Sequence, residues 1–165
     1  MRRSLVGPIA AGLLVAAGSA AAQVVPAGAW FHLGQAFSAR VISVQTRPSI
    51  GVGTITAAAL PGREFVLLTL EARNDGRIAS APPVLTLGPL ISADGSQRIA
   101  PDPLTGRANT EASLGNRVHT PVPPGATGRL IALYQVSKGM ALGGLYYAAP
   151  SDGAAGAPSL VALPH

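Results

Sequence analysis

The run Glu64-Phe65-Val66-Leu67-Leu68-Thr69-Leu70-Glu71-Ala72 decides the fold. In an extended chain successive side chains point to opposite faces. Val66, Leu68, Leu70 and Ala72 then line one face, and Phe65, Leu67, Thr69 and Glu71 line the other. Only the far end of that second face turns polar. A strand apolar on both sides belongs in the middle of a sheet. Asn74-Asp75-Gly76 stops it with residues that tolerate left-handed turns.

Working outward, Gly128–Val136 is a second strand of the same kind. Leu130, Ala132, Tyr134 and Val136 lie on one side, and Ile131 and Leu133 on the other. Pro121–Gly125 leads into it, and Pro124-Gly125 suits the centre of a type II turn. Upstream, Ala36–Thr46 alternates until Val41-Ile42, where the apolar phase changes and a bulge is expected. Residues 47–62 read as a proline- and glycine-rich loop with a short strand at Gly53–Ala57. Leu90–Ser92 and Gln97–Ile99 flank Asp94-Gly95, a hairpin signal. Further strands are expected at Val84–Leu87 and at Leu142–Ala148. Residues 100–115 form a long connection, with one helical turn at Thr110–Leu114 capped by Asn109 and stopped by Gly115. Many short strands separated by turn residues predict an all-β, antiparallel sandwich of about seven strands.

The first 22 residues read differently. Arg2-Arg3, an apolar run from Leu5 to Val15 and the small-residue exit Ala20-Ala21-Ala22 are the three parts of a secretory signal peptide. Cleavage is expected after Ala22, with Ala20 as the alternative. Gly7, Pro8, Gly12 and Gly18 interrupt the run, so it suits a cleaved segment better than a spanning helix of about 20 apolar residues. The twin arginines leave the general and twin-arginine export routes both open. The domain then occupies residues 23–149, and the Ala/Gly/Ser/Pro-rich stretch 150–165 reads as a loose tail. No stable membrane anchor is expected after cleavage, because no cysteine follows the apolar run.

Composition narrows the chemistry. The 165-residue chain has no cysteine and a net charge of +5. Without Arg2 and Arg3, ten basic residues face seven acidic ones, so the balance falls to +3. Disulfides, thiolate metal sites and cysteine nucleophiles are excluded. The arginines are scattered and aromatics are few, which argues against nucleic-acid binding.

Four segments in order resemble the Ig-like, telokin-like extracellular domains of bacteria, the DUF4352 group. They are Leu33-Gly34-Gln35-Ala36-Phe37 running to Val44, Glu64–Ala72 ending in Arg73-Asn74-Asp75-Gly76, Leu90–Gly95, and Pro124–Gly128 running into Leu130–Val136. The resemblance implies an Ig-like sandwich with an extracytoplasmic home. It implies no reaction and carries no catalytic residue.

Asp94 and Asp102 are weak candidates for a calcium site, which needs six to eight oxygens. Asp94-Gly95 reads more simply as a turn. His32, His119 and His165 lack ligand spacing. No nucleophile elbow, phosphate cradle or H-E-x-x-H is present, so no catalytic residue and no cofactor are assigned. Trp30, Tyr146 and Tyr147 are the interaction candidates, since Tyr and Trp near arginine have hot-spot composition. The expected function is a non-enzymatic binding module with an envelope protein as partner, using the 47–62 and 100–127 loops. The alternatives are a calcium- or small-ligand-binding protein and an envelope enzyme with a non-local site.

Overall fold

The computed structural model describes residues 23–83, 87–110, 121–147 and 159–164. The expected signal peptide 1–22, most of the strand at 84–87, the helical turn beyond residue 110, His119 and His165 lie outside the described residues.

The predicted central strand is β6 (Arg63–Asn74). It pairs antiparallel with β3 (Phe37–Arg47) on one side and β9 (Thr127–Ser137) on the other. The short strand β2 (Phe31–Leu33) completes a four-stranded sheet in the order β2-β3-β6-β9. The register of β3 against β6 slips between Val41 and Ser43, so Ile42 is the bulged residue and the predicted phase change is real.

A second, five-stranded sheet contains β1 (Gln23–Val25), β7 (Leu90–Ser92), β8 (Arg98–Ile99), β10 (Leu142–Tyr147) and β11 (Ser159–Val161). Their order is β1-β11-β10-β7-β8. Two expectations change here. The stretch 150–165 is not tail throughout: β11 lies between β10 and β1, and Val161 is fully buried. The pair β1–β11 is parallel, so the sandwich is not wholly antiparallel. These strands come from opposite ends of the chain, and no hairpin forces them into opposite directions. Composition alone hid β11, because a three-residue strand has too little pattern to stand out.

The sheets face each other across one core. Val66, Leu68, Leu70, Leu130, Ala132 and Tyr134 on the first meet Leu90, Leu145, Tyr147 and Val161 on the second. Tyr134 is fully buried and donates its hydroxyl to the Gly88 carbonyl at 2.9 Å. Burial pushes its pKa upward, so it stays a neutral donor. Strand β10 passes so close to its neighbours that a Cβ on Gly143 would lie 2.6 Å from the Ser92 carbonyl oxygen. Glycine there is a packing requirement.

The other face of β6 and β9 needs its own cover, and the expected loops supply it. Residues 47–62 are not a free loop: they form a hairpin of β4 (Ser49–Val52) and β5 (Ile55–Ala58). The connection after residue 100 forms the helix α1 (Leu104–Thr110), which begins six residues upstream of the expected turn at Thr110–Leu114. Ile50, Val52 and Ala108 close a second core over Phe65, Leu67, Ile131 and Leu133.

Asn109, expected as a helix cap, instead lies within α1. Its carboxamide donates to the Ile131 carbonyl at 2.6 Å and accepts from the Ile131 N–H at 2.8 Å. One turn earlier, the Thr105 hydroxyl accepts from the Leu133 N–H at 3.0 Å and donates to the Leu133 carbonyl at 3.2 Å. Two side chains spaced i, i+4 on one helix face thus replace a missing neighbour strand for β9. The true cap is Asp102, whose Oδ1 accepts from the Leu104 N–H at 2.9 Å.

Thr105→Val keeps the side-chain shape and removes the hydroxyl. The Leu133 carbonyl keeps the Asp102 N–H, so the Leu133 N–H is the group left unpaired. An unpaired buried group costs about 1–3 kcal/mol, and a loss of about 1–3 kcal/mol is expected in thermal or urea unfolding. Asn109→Ala should cost at least as much.

Candidate functional site

The outer face of the four-stranded sheet divides into two halves. The half over Phe65, Leu67, Ile131 and Leu133 is covered by the hairpin and α1. The other half, toward the β3 N-terminus, carries Ser38, Arg40, Glu71, Arg73, Thr127 and Arg129 in adjacent registers. His32 on β2 sits opposite Ser38. His32, Thr127 and Arg129 are exposed there.

Trp30 immediately precedes β2 and is half-buried on this half. The guanidinium carbons of Arg40 and Arg73 lie 4.8 and 4.9 Å from its ring centroid. Such contacts are cation–π interactions, worth about 0.5–1 kcal/mol each at exposed sites. Both arginines are themselves held. Arg40 reaches Glu71 Oε2 at 2.6 Å, and Arg73 Nε reaches Asp75 Oδ1 at 2.6 Å. The Ser38 hydroxyl donates to the other Asp75 oxygen. The Arg73 hydrogen bond first, then that of Ser38, holds the Asp75 carboxyl below the usual aspartate range. The result is an indole fixed in orientation by a charged frame.

The frame depends on Asn74, which is fully buried where β6 ends. Its side-chain NH2 donates to the carbonyls of Ile78 and Val122, at 2.8 and 2.7 Å. Its Oδ1 accepts from the Gly76 N–H at 2.9 Å. Its main chain pairs with Gly125 and Ala126. Gly125 has φ +75°, and the Ala126 N–H bonds the Pro123 carbonyl, as the predicted type II turn requires. One asparagine therefore ties the Asp75 turn to the entry of β9.

The other interaction candidates separate by face, as strand alternation predicts. Tyr147 is buried in the core, with its ring centroid 5.5 Å from that of Phe31 and its hydroxyl accepting from the Gly34 N–H. Tyr146 is half-buried, with Arg98 over its ring at 5.2 Å. The structure does not bring Trp30 and the tyrosine pair into one site.

Asp94 and Asp102 both act locally. Asp94 accepts from the Ser92 hydroxyl at 2.6 Å, the Ser96 N–H at 3.1 Å and the Ser96 hydroxyl at 2.8–2.9 Å. It locks the β7–β8 turn, where Gly95 has φ +73°. Asp102 caps α1 and accepts from Gln135 Nε2 at 2.7 Å. Among the described residues no group of three or more His, Asp or Glu is placed to hold a metal ion. Sequence reasoning named Trp30 but missed Arg40, Arg73 and Asp75 as its frame. The cross-strand register that joins them is set only when β2, β3 and β6 pair.

The sequence matches no protein-family model and has no significant match among curated proteins. Solved structures do resemble the fold. A conserved hypothetical protein from Bacillus anthracis superposes with a TM-score of 0.50 at 17% identity, covering 74% of this chain and 87% of that one. An uncharacterized beta-sandwich protein from Clostridium difficile 630 superposes with a TM-score of 0.52 at 12% identity, covering 87% and 95%. The likeness is one of fold: this chain is a β-sandwich.

The hydrogen bond from Ser92, followed by those from Ser96, lowers the Asp94 pKa to about 2, against 3.8 for a free aspartate. A carboxyl acidified by folding stabilises the native state above the unfolded value, and that contribution disappears as pH falls through the folded value. The window is therefore between about pH 4 and pH 2. A carboxyl carbon NMR titration should find the Asp94 midpoint near 2, and Ser92→Ala should move it upward.

Proposed function

We propose that this chain is an exported, non-enzymatic binding module of the bacterial envelope, an Ig-like sandwich of the telokin-like DUF4352 kind. The observation that carries the proposal is Trp30, lying against Arg40 and Arg73 on the half of the outer sheet face that, among the described residues, neither the hairpin nor α1 covers. Tryptophan and arginine are the residues most enriched among interface hot spots, and an aromatic already fixed in place loses little entropy on binding. The flanking Arg129 and His32 are exposed and form a polar rim. The N-terminal pattern of Arg2-Arg3, an apolar run and Ala20-Ala21-Ala22 supports export and release near Ala22 into the periplasm or beyond. In this reading the partner is an envelope protein, and neither nucleic acid nor a membrane anchor takes part.

Trp30 is the single tryptophan, so its emission reports on this face directly. Photo-crosslinking from position 129 in cells should trap a discrete envelope protein. Trp30→Ala with Arg73→Ser should remove that adduct, whereas Lys138→Ser should keep it. An adduct that survives the double substitution sinks the proposal. Mass spectrometry of the chain recovered from the extracytoplasmic fraction should begin at Gln23.

A further inference from the structure

We propose that the cleft between β8 and β9 binds an extended acidic peptide segment. Its backbone would add to the open stretch of β9, and its carboxylates would meet Arg63 and Arg98. This reading goes beyond the binding module proposed above, because it uses a different part of the molecule and none of the Trp30 frame.

The argument starts from the edge of β9. Antiparallel pairing alternates, so every second residue bonds the neighbour strand and the others turn N–H and C=O outward. Asn109 and Thr105 bond the main chain of Ile131 and Leu133, which fixes the odd-numbered residues as the outward ones. The helix cover stops there. The next outward residues are Gln135 and Ser137. The Gln135 main-chain N–H and C=O have no hydrogen-bond partner among the described residues, nor has the Ser137 N–H. A strand edge left bare is a template for another strand, and natural sheets commonly block such edges. Here the block covers one stretch and leaves the next open.

The opposite wall is similar. Strand β8 is the edge of the five-stranded sheet. The Ser92 N–H bonds the Gln97 carbonyl, and Leu90 pairs with Ile99, so the Arg98 main chain faces away from β7. Between these walls lies a cleft of about 560 Å³, lined by Arg63, Gln97, Arg98, Asp102, Gln135 and Ser137 among others. That volume falls within the range of about 300–1,000 Å³ usual for ligand sites.

Charge selects the occupant. Neither Arg63 nor Arg98 pairs with a carboxylate among the described residues. The Arg98 guanidinium lies over the Tyr146 ring at 5.2 Å. Among the described residues Asp102 is the only carboxylate in the lining, and its oxygens already accept from Leu104 and Gln135. A strand edge asks for an extended peptide, and the two guanidiniums ask for carboxylates on it.

The test titrates the ¹⁵N-labelled chain with a pool of end-capped octapeptides alternating Glu with Val or Thr. Saturable binding is expected, with amide shifts centred on Arg98, Gln135 and Ser137. Affinity should fall at least tenfold for Arg63→Ser/Arg98→Ser, for Lys in place of Glu, and for peptides N-methylated at alternate amides. Absence of saturable binding up to millimolar peptide overturns the proposal. So does equal binding by the Lys or N-methylated pools, or equal competition by oligothymidylate, which would reduce the cleft to unspecific charge. Arg63 and Arg98 are exposed, and retained melting of the double variant confirms that it folds. Trp30→Ala should leave peptide affinity unchanged, so failure here and failure of the Trp30 reading are distinguishable.

Discussion

Strand β6 is apolar on both faces along its first half, and most other features of the molecule answer that constraint. Val66 and Leu68 turn toward the second sheet, and Phe65 and Leu67 toward the hairpin and α1. A sandwich of two sheets satisfies only the first set. Leaving Phe65, Leu67, Ile131 and Leu133 in water would forgo about 1.5–3 kcal/mol for each side chain. The β4–β5 hairpin and α1 are therefore a third layer over half of one sheet.

The third layer creates a further demand. Placing α1 beside β9 removes water from the outward main-chain groups of Ile131 and Leu133. Thr105 and Asn109 meet it with four hydrogen bonds, and Asp102 adds its own N–H to the Leu133 carbonyl. The helix is too short to be stable by itself. Its stability comes from Ala108 in the second core and from these side chains. Helix and strand edge thus stabilise each other.

The two-faced pattern of residues 64–72 and 128–136 was enough to place both long strands, the phase change in residues 36–46 placed the bulge at Ile42, and Pro124-Gly125 placed its turn. Those features are local, written in alternation and turn chemistry. The cover was not legible. Residues 49–58 are small and weakly alternating, and Asn109 reads as a cap until β9 is beside it. Strand β11 needs β1 and β10 to exist, and its pattern is three residues long. The same limit holds for the Trp30 frame. Trp30 stood out by its residue type, whereas Arg40 and Arg73 lie far from it in sequence and meet it only through strand register. Tyr146 and Tyr147 could be assigned to opposite faces, but not which of them the core would take.

The divided cover also explains why polar groups gather where they do. Thr69 marks the boundary along β6: before it the outer face is Phe65 and Leu67, and after it Glu71 and Arg73. Beyond the reach of the hairpin, outward side chains must be soluble. Cross-strand pairing of Arg40 with Glu71 and turn pairing of Arg73 with Asp75 meet that demand. Exposed ion pairs contribute little to stability, about 0–1 kcal/mol. What they supply here is orientation, because they fix two guanidiniums at the distance where Trp30 can lie against both. At the other end of the same sheet the helix covers β9 only as far as Leu133. Among the described residues two surfaces thus stay without cover for one reason: a seven-residue helix and a short hairpin cannot cover strands of eleven and twelve residues.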